Sequence, residues 1–425
     1  MSAKNPPTLD TSGMPDFDKT DKEADFEIMA DFERFNQKND VFRRSWWDAN
    51  IRSEKSRLFY KTYREPLKTW RKADGFTQKD YAFRNATWHV SDLFTEMKEN
   101  EDRREGFTDA FTLYRDVAKE KTHFESPEAA ANEIKNIAKR FGADIVGITQ
   151  YDERWLYTQK FSDMSLTERP NDIPDGLKYV IVTAQRMDHD LISTVPSALS
   201  GAATGLGYSH DATVVLSVAQ YLRNLGYNAV ASMNDSSLNI PMAIQAGLGE
   251  YGRHGLLITK EFGPRVRLGK IYTDLPMALD KPLHFGVKEF CGICRGCTKG
   301  CPVKAISDGA PTTQTYNQSN IKGIKKWTVN GEKCFGYWAA QNSDCSVCIR
   351  VCPYNKDYSK WLYQLGRWLA GTRLRRFMLT LDIKLGYGKR KQPKLWWQGQ
   401  RQNFNNFIRN FFSSGKQKKN NQKLR

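Results

Sequence analysis

Cys291-Gly-Ile-Cys294-Arg-Gly-Cys297-Thr-Lys-Gly-Cys301-Pro302, and further on Cys334 with Cys345-Ser-Val-Cys348-Ile-Arg-Val-Cys352-Pro353, hold all 8 cysteines of this chain. Three closely spaced thiolates can grip three corners of one iron–sulfur cubane. A fourth, set after a three-residue gap and before a proline, points away to a neighbouring cubane. The spacing therefore predicts two [4Fe–4S] clusters, one on Cys291, Cys294, Cys297 and Cys352, the other on Cys334, Cys345, Cys348 and Cys301. Structural zinc also draws on Cys-x2-Cys pairs, but the near-duplication of a full Cys-x2-Cys-x2-Cys-x3-Cys-Pro run is cluster spacing. A disulfide framework needs an oxidising compartment, and the first 25 residues show neither an apolar h-region nor a small-residue cleavage site. With four thiols per group, a [3Fe–4S] centre is not expected.

Two cubanes form a short wire for single electrons, and a minimal wire needs only about 60 residues. Here 290 residues precede Cys291, which argues for a second redox centre and a substrate pocket. The 425-residue chain is 40% hydrophobic, enough for a sizeable core. No apolar run approaches the roughly 18–20 residues of a membrane span. Arg43-Arg44 is followed by Ser45-Trp46-Trp47-Asp48 and does not open a twin-arginine signal. The expected location is cytoplasmic or peripheral on the cytoplasmic membrane, or periplasmic if a twin-arginine signal has been removed. The net charge of +17 is not spread evenly: from Arg367 to Arg425 there are 16 Lys and Arg against one acid, Asp382. The body is near neutral and the tail is basic, which suits an anionic surface.

Five regions are expected: a disordered N-terminus (1–25), an aromatic and charged helical region (26–120), an α/β core (121–285), a cluster module (286–358) and basic C-terminal helices with a tail (359–425). Ser126-Pro127-Glu128 reads as an N-cap, a first-turn proline and a first-turn acid. Ile134, Ile137, Ala138 and Phe141 then line one helix face up to Gly142. Strands are expected at 144–148, 179–183, 229–233, 256–259 and 266–273, and a helix at 209–225. Trp361, Leu365, Trp368, Leu369 and Leu381 have helical spacing and are expected to pack on the core. Phe404, Phe407, Ile408, Phe411 and Phe412, with Arg401, Arg409 and Lys416, make a basic amphipathic pattern suited to an anionic membrane.

Several chemistries are not indicated. No G-x-G-x-x-G opens a helix after a strand, there is no Walker P-loop, and six histidines do not suggest a His-rich metal site. The Asp-x-His-x-x-Gly motif of histidine-ligated corrinoids is absent. Three further runs are distinctive: Gly142-Ala-Asp-Ile-Val-Gly-Ile-Thr-Gln-Tyr-Asp-Glu-Arg-Trp155, Asn234-Asp with Ile240-Pro-Met-Ala-Ile-Gln-Ala-Gly-Leu-Gly249, and Phe262-Gly-Pro-Arg-Val-Arg267 leading to Tyr272-Thr-Asp274. With the cysteine groups directly after them, they resemble the corrinoid- and iron–sulfur-dependent reductive dehalogenases, over residues of about 120 to 360.

That resemblance implies an α+β fold, with a nitroreductase-like corrinoid-binding core joined to a bacterial-ferredoxin-like module of two [4Fe–4S] clusters. It implies a cobalamin-type corrinoid bound base-off without a protein ligand, which accounts for the missing histidine motif. The activity implied is replacement of a carbon-bound halogen by hydrogen. The family's proton-donating tyrosine matches Tyr208 in Gly207-Tyr-Ser-His210, and its assisting groups match Asn234 and Arg267. A guanidinium beside a phenol stabilises the phenolate and eases proton donation. Thr204 and Trp338 match the walls of the substrate pocket, while His210 stands where relatives are expected to carry another residue type. The implied partners are a small organohalide, a low-potential electron donor and a membrane anchor protein or anionic membrane surface; nucleic acid is not expected. Two other functions share parts of this pattern. Epoxyqueuosine reductase, a tRNA-modifying relative, has the same module but is expected to use an acidic proton donor. A non-catalytic electron-transfer protein would hold two clusters and no cobalt.

Overall fold

The helix announced by Ser126 forms as its first residues dictate. In the computed structural model, which describes residues 17–64, 73–96 and 117–399 apart from 164 and 172, the Ser126 side chain accepts from the Ala129 amide and Pro127 opens the helix. Gly142 ends the turn at φ +110°, a conformation that suits glycine. Ala130, Ile134 and Ala138 are fully buried, whereas Phe141 is exposed because it lies past the last turn, as the C-cap.

Among the described residues it is preceded by α1 (Phe17–Ala24), α2 (Val41–Trp47), α3 (Glu54–Arg64) and α4 (Gln78–Glu96). The core then runs α5 (Pro127–Arg140), β1 (Ile145–Gln150), β2 (Gln159–Phe161), β3 (Glu168–Pro170), β4 (Tyr179–Arg186), α6 (His189–Ile192) and α7 (Ala198–Asn224). It continues through β5 (Ala229–Ser232), α8 (Asn239–Gln245), β6 (Gly249–Tyr251), β7 (Leu257–Thr259) and β8 (Val266–Thr273). The cysteines lie on or beside α9 (Val287–Cys294), α10 (Gly296–Gly300), α11 (Gly331–Gln341) and α12 (Val347–Arg350). Helices α13 (Trp361–Ala370), α14 (Arg375–Leu385) and α15 (Pro393–Trp397) follow.

The main sheet has the order β1-β4-β8-β5, with every pair antiparallel. Side chains alternate between its faces. Ile181 and Ile271 join a core with α5 and α7, while Val180, Val182 and Tyr272 join a second core with α8. Both faces are therefore covered, and α4 packs on the far side of α7.

Three expectations need correction here. The helix predicted from residue 209 begins at Ala198, capped by Ser197, so Tyr208 sits within it rather than at its start. Gly201, Gly205 and Gly207 make this stretch read as a loop, but each marks a close approach. A Cβ would come within 2.3 Å of Thr87 Oγ1 at Gly205, 2.4 Å of Asp344 Oδ1 at Gly201 and 2.5 Å of Arg267 Cγ at Gly207. Second, the apolar residues of α13 do not pack on the core: Trp361 is 71% and Trp368 66% exposed. Leu365 is exposed as well, and only Leu369 and Leu381 are half-buried. Their helical spacing is real, but the face they form lies outward. At the other end, residues 17–24 fall in the stretch expected to be disordered yet form α1, where Asp21 takes a bidentate ion pair from Arg154. The phenylalanine pattern at 404–412 lies outside the described residues.

Gly147 in β1 is the tightest point of the sheet's second face, because a Cβ there would meet the Ala246 carbonyl at the end of α8 at 2.1 Å. Gly147→Ala should therefore cost about 1–3 kcal/mol in denaturant unfolding followed by circular dichroism. An unchanged midpoint would contradict this packing.

Candidate active site and cluster-binding module

All eight cysteines are free of disulfides. The Cys352 thiol is close enough to Cys291, Cys294 and Cys297 for their charges to act on it. Cys334 and Cys345 both sense Cys301, and Cys348 senses Cys334, Cys345 and Cys301. The chain thus brings the last cysteine of each run to the first three of the other. Cys348 also senses Cys297, so the two groups adjoin. Cys291, Cys294, Cys297 and Cys352 line one small cavity together with Arg253, His254, Pro353 and Tyr354. Among the described residues no three His, Cys, Asp or Glu side chains gather on a single-ion site; these thiols surround a space instead. Burial pushes the Cys291 and Cys334 thiols up to about 12, so a thiolate at either position needs a strong cationic partner such as iron.

The module is clamped to the core by buried charged side chains. Glu250 of β6 accepts from the Phe285 and Val287 amides at the start of α9. Arg253, almost fully buried, donates to the carbonyls of Cys291, Ser307 and Gly309 and lies over the Trp327 ring. Arg265 bridges the carbonyls of Met187 and Lys356.

Tyr208, Asn234 and Arg267 come together from α7, the loop after β5, and β8. Arg267 Nη2 and Asn234 Nδ2 both donate to Tyr208 Oη in very short contacts. The phenol ring is held between the Arg267 guanidinium, 4.1 Å from its centre, and the Trp88 ring, stacked at 4.7 Å. The residue is only 6% exposed. Gly207 lets the Arg267 stem pass under α7 to reach the phenol. One turn further along α7, Asp211 lies over Gly269, where a Cβ would meet its carboxylate at 2.3 Å. Burial pushes the Asp211 carboxyl up to about 7, against the opposing pull of Arg267 and Lys270. A phenol oxygen that receives two N–H donors is better able to carry negative charge, and its own proton is then directed at neither donor.

The remaining expected residues are less closely joined. Thr204 lies one turn before Tyr208 on α7 and is half-buried. Trp338 of α11 packs against Phe42 and Phe59. His210 faces outward over Gly142, away from the phenol. Sequence reasoning missed Trp88, Asn239, Lys270, Asp211 and Arg253. Lys270 had a readable signal, since it occupies an inward position between Leu268 and Tyr272 in an alternating strand. Trp88 had none, because a helix far along the chain brings it to the site.

Residues 167–277 match the reductive dehalogenase subunit family, and residues 290–355 match the 4Fe–4S double cluster binding domain. The tetrachloroethene reductive dehalogenase of Desulfitobacterium hafniense is 39% identical over 282 residues, covering 57% of this chain and 51% of that protein. The enzyme of the same name from Sulfurospirillum multivorans is 34% identical over 300 residues, covering 64% and 60%. An epoxyqueuosine reductase of Aliivibrio fischeri is more distant, at 26% over 274 residues, covering 53% and 67%. The chain thus spans between half and two thirds of the length of these tetrachloroethene reductive dehalogenases. The solved reductive dehalogenase structure described as suggesting a mechanism for B12-dependent dehalogenation shares the fold, with a TM-score of 0.68 at 24% identity over 88% of this chain and 49% of that one. The site and the eight cysteines thus lie in or beside the matched segments: the match to the reductive dehalogenase subunit family at 167–277 and the match to the 4Fe–4S double cluster binding domain at 290–355.

Proposed function

We propose that this chain is the catalytic part of a reductive dehalogenase, which replaces a carbon-bound halogen with hydrogen at the expense of two electrons and one proton. The observation that carries this reading is the buried phenol of Tyr208, receiving N–H donors from both Arg267 and Asn234. A cobalamin-type corrinoid, when bound, would supply the reducing chemistry that releases the halogen as halide. The residues present suit such a group. Gln185, fully buried on the sheet face of Arg267, has neither amide atom hydrogen-bonded, and Arg267 Nε is also without a partner. These are polar atoms that the amide-rich rim of a corrin can match. We infer a nitroreductase-like core around it.

Tyr208 gives its proton from Oη to the carbon that loses the halogen. Arg267 and Asn234 hold the resulting phenolate through the same two hydrogen bonds. Thr204 and Trp338 wall the substrate space, which suits an apolar organohalide. Cys291, Cys294, Cys297 and Cys352 would hold one cluster and Cys334, Cys345, Cys348 and Cys301 the other, and the pair would supply electrons one at a time. The grouping of the thiols supports this division.

The partner reading is also ours. Helices α13 and α14 turn Trp361, Trp368, Phe377 and Ile383 outward, all above 60% exposed. Arg367, Arg373, Arg375, Arg376 and Lys384 lie among them, and the one acid, Asp382, is paired with Lys356. Aromatic residues beside basic ones fit an anionic membrane face. The groove between the two helices reaches Phe290, Pro353 and Tyr354 beside the first cysteine group. Docking there would bring an electron donor close to that cluster and make the protein peripheral to a membrane.

Three outcomes follow. Tyr208→Phe should lower halide release from tetrachloroethene or 3-bromo-4-hydroxybenzoic acid at least 100-fold in protein reconstituted anaerobically with corrinoid; full turnover would remove the proton-donor role. The double variant Cys352→Ala/Cys291→Ala should keep about four irons per chain, whereas Cys352→Ala/Cys345→Ala should keep almost none. The reverse pattern by iron analysis would contradict the crossed ligands. Replacing Trp361, Trp368 and Phe377 with Ala should abolish flotation with phosphatidylglycerol vesicles; equal flotation of the two proteins, or none by either, would sink the membrane proposal.

A further inference from the structure

Two cations reach Tyr208 from opposite faces of β8. Arg267 does so directly. Lys270, three residues on, points to the other face, among Leu268 and Tyr272, and is 1% exposed. Its Nζ donates to the Met233 carbonyl and to Asn239 Oδ1, each at 2.6 Å. Asn239 Nδ2 donates to Asn234 Oδ1 at 2.8 Å and to the Leu268 carbonyl at 3.1 Å. Asn234 Nδ2 completes the line by donating to Tyr208 Oη.

The direction of this line is fixed at its far end. An ammonium has only donors, so Asn239 must show it oxygen. The Leu268 carbonyl makes the complementary demand, since it requires the amide nitrogen of Asn239 on its own side. Asn239 then offers an N–H to Asn234, which must answer with oxygen and so turns its own N–H to the phenol. Were either amide reversed, Tyr208 would face a carbonyl oxygen, which opposes phenolate formation. Aligned hydrogen bonds in a buried line also polarise one another. A lysine buried on this face costs stability unless its donors are met; burial pushes its ammonium down to about 8, with Asp235 and Asp211 opposing.

We propose that Lys270 is a positioning residue for the proton donor: through Asn239 and Asn234 it fixes an N–H on Tyr208 Oη and so makes the phenol a stronger acid. The proposal rests on the reading of Tyr208 as the proton donor, but its test reads the phenol itself and requires no turnover. The protein is labelled with 3-fluorotyrosine, the Tyr208 signal is assigned by its loss in Tyr208→Phe, and its titration is followed by fluorine NMR. Lys270→Met removes the cation. Asn239→Leu keeps the cation and cuts the line at a half-buried side chain of similar size. Both variants should move the Tyr208 titration to higher pH, each making the phenol about tenfold weaker as an acid. If only Lys270→Met shifts it, Lys270 acts through space and the line is overturned. If neither shifts it, Lys270 merely ties the 233–239 loop to the sheet and the proposal fails. Retained turnover in Tyr208→Phe would overturn the dehalogenase mechanism instead, while leaving the titration result interpretable.

Discussion

The phenol of Tyr208 is held by two N–H donors inside a buried core, and much of the architecture serves that contact. For Arg267 to reach it, α7 must lie close on β8, which Gly207 and Gly269 allow. For the ring to be closed from the other side, α4 must lie equally close on α7, which Gly201 and Gly205 allow by admitting Arg84, Thr87 and Trp88. For Asn234 to present its nitrogen, the loop after β5 must be set by Asn239 and, behind it, Lys270. Each demand falls on a different element, and all meet at one oxygen. The buried Asp211 lies close to both cations, so the site does not gather positive charge alone.

The cysteine module depends on the same core. Its first helix begins on a carboxylate of β6, and its first cysteine is held by its carbonyl from Arg253 in the loop that follows. A loop of the core also abuts it, since a Cβ at Gly263 would meet the Tyr354 carbonyl at 2.0 Å. The cysteines and the Tyr208 site are thereby fixed to one rigid sheet. Electron transfer and proton donation both depend steeply on position, and sites on rigid elements hold position best.

What the sequence reveals follows from how local each signal is. The cysteine runs, the cap at Ser126 and the alternation of β8 are decided by neighbours within a few residues, and the structure places an element at each. The first half of α7 was not legible, because glycine lowers local helix propensity while its reward, a close approach to α4 and Arg267, comes from elsewhere in the chain. The outward face of α13 was misread for the opposite reason. Periodicity reports that an apolar face exists, not what covers it. Tyr208, Asn234 and Arg267 were found by resemblance alone, since their spacing of 26 and 33 residues carries no chemistry until the sheet brings them together. Trp88 and Lys270 show the limit of both routes: the first arrives by packing, and the second acts through two intervening amides.

In the proposed reaction the two clusters would supply a corrinoid beside the Tyr208 site. Iron and cobalt content per chain, after anaerobic reconstitution with excess corrinoid and removal of the unbound fraction, tests it most directly. The account predicts about eight irons and about one cobalt. About eight irons with no retained cobalt would contradict it and leave an electron-transfer protein.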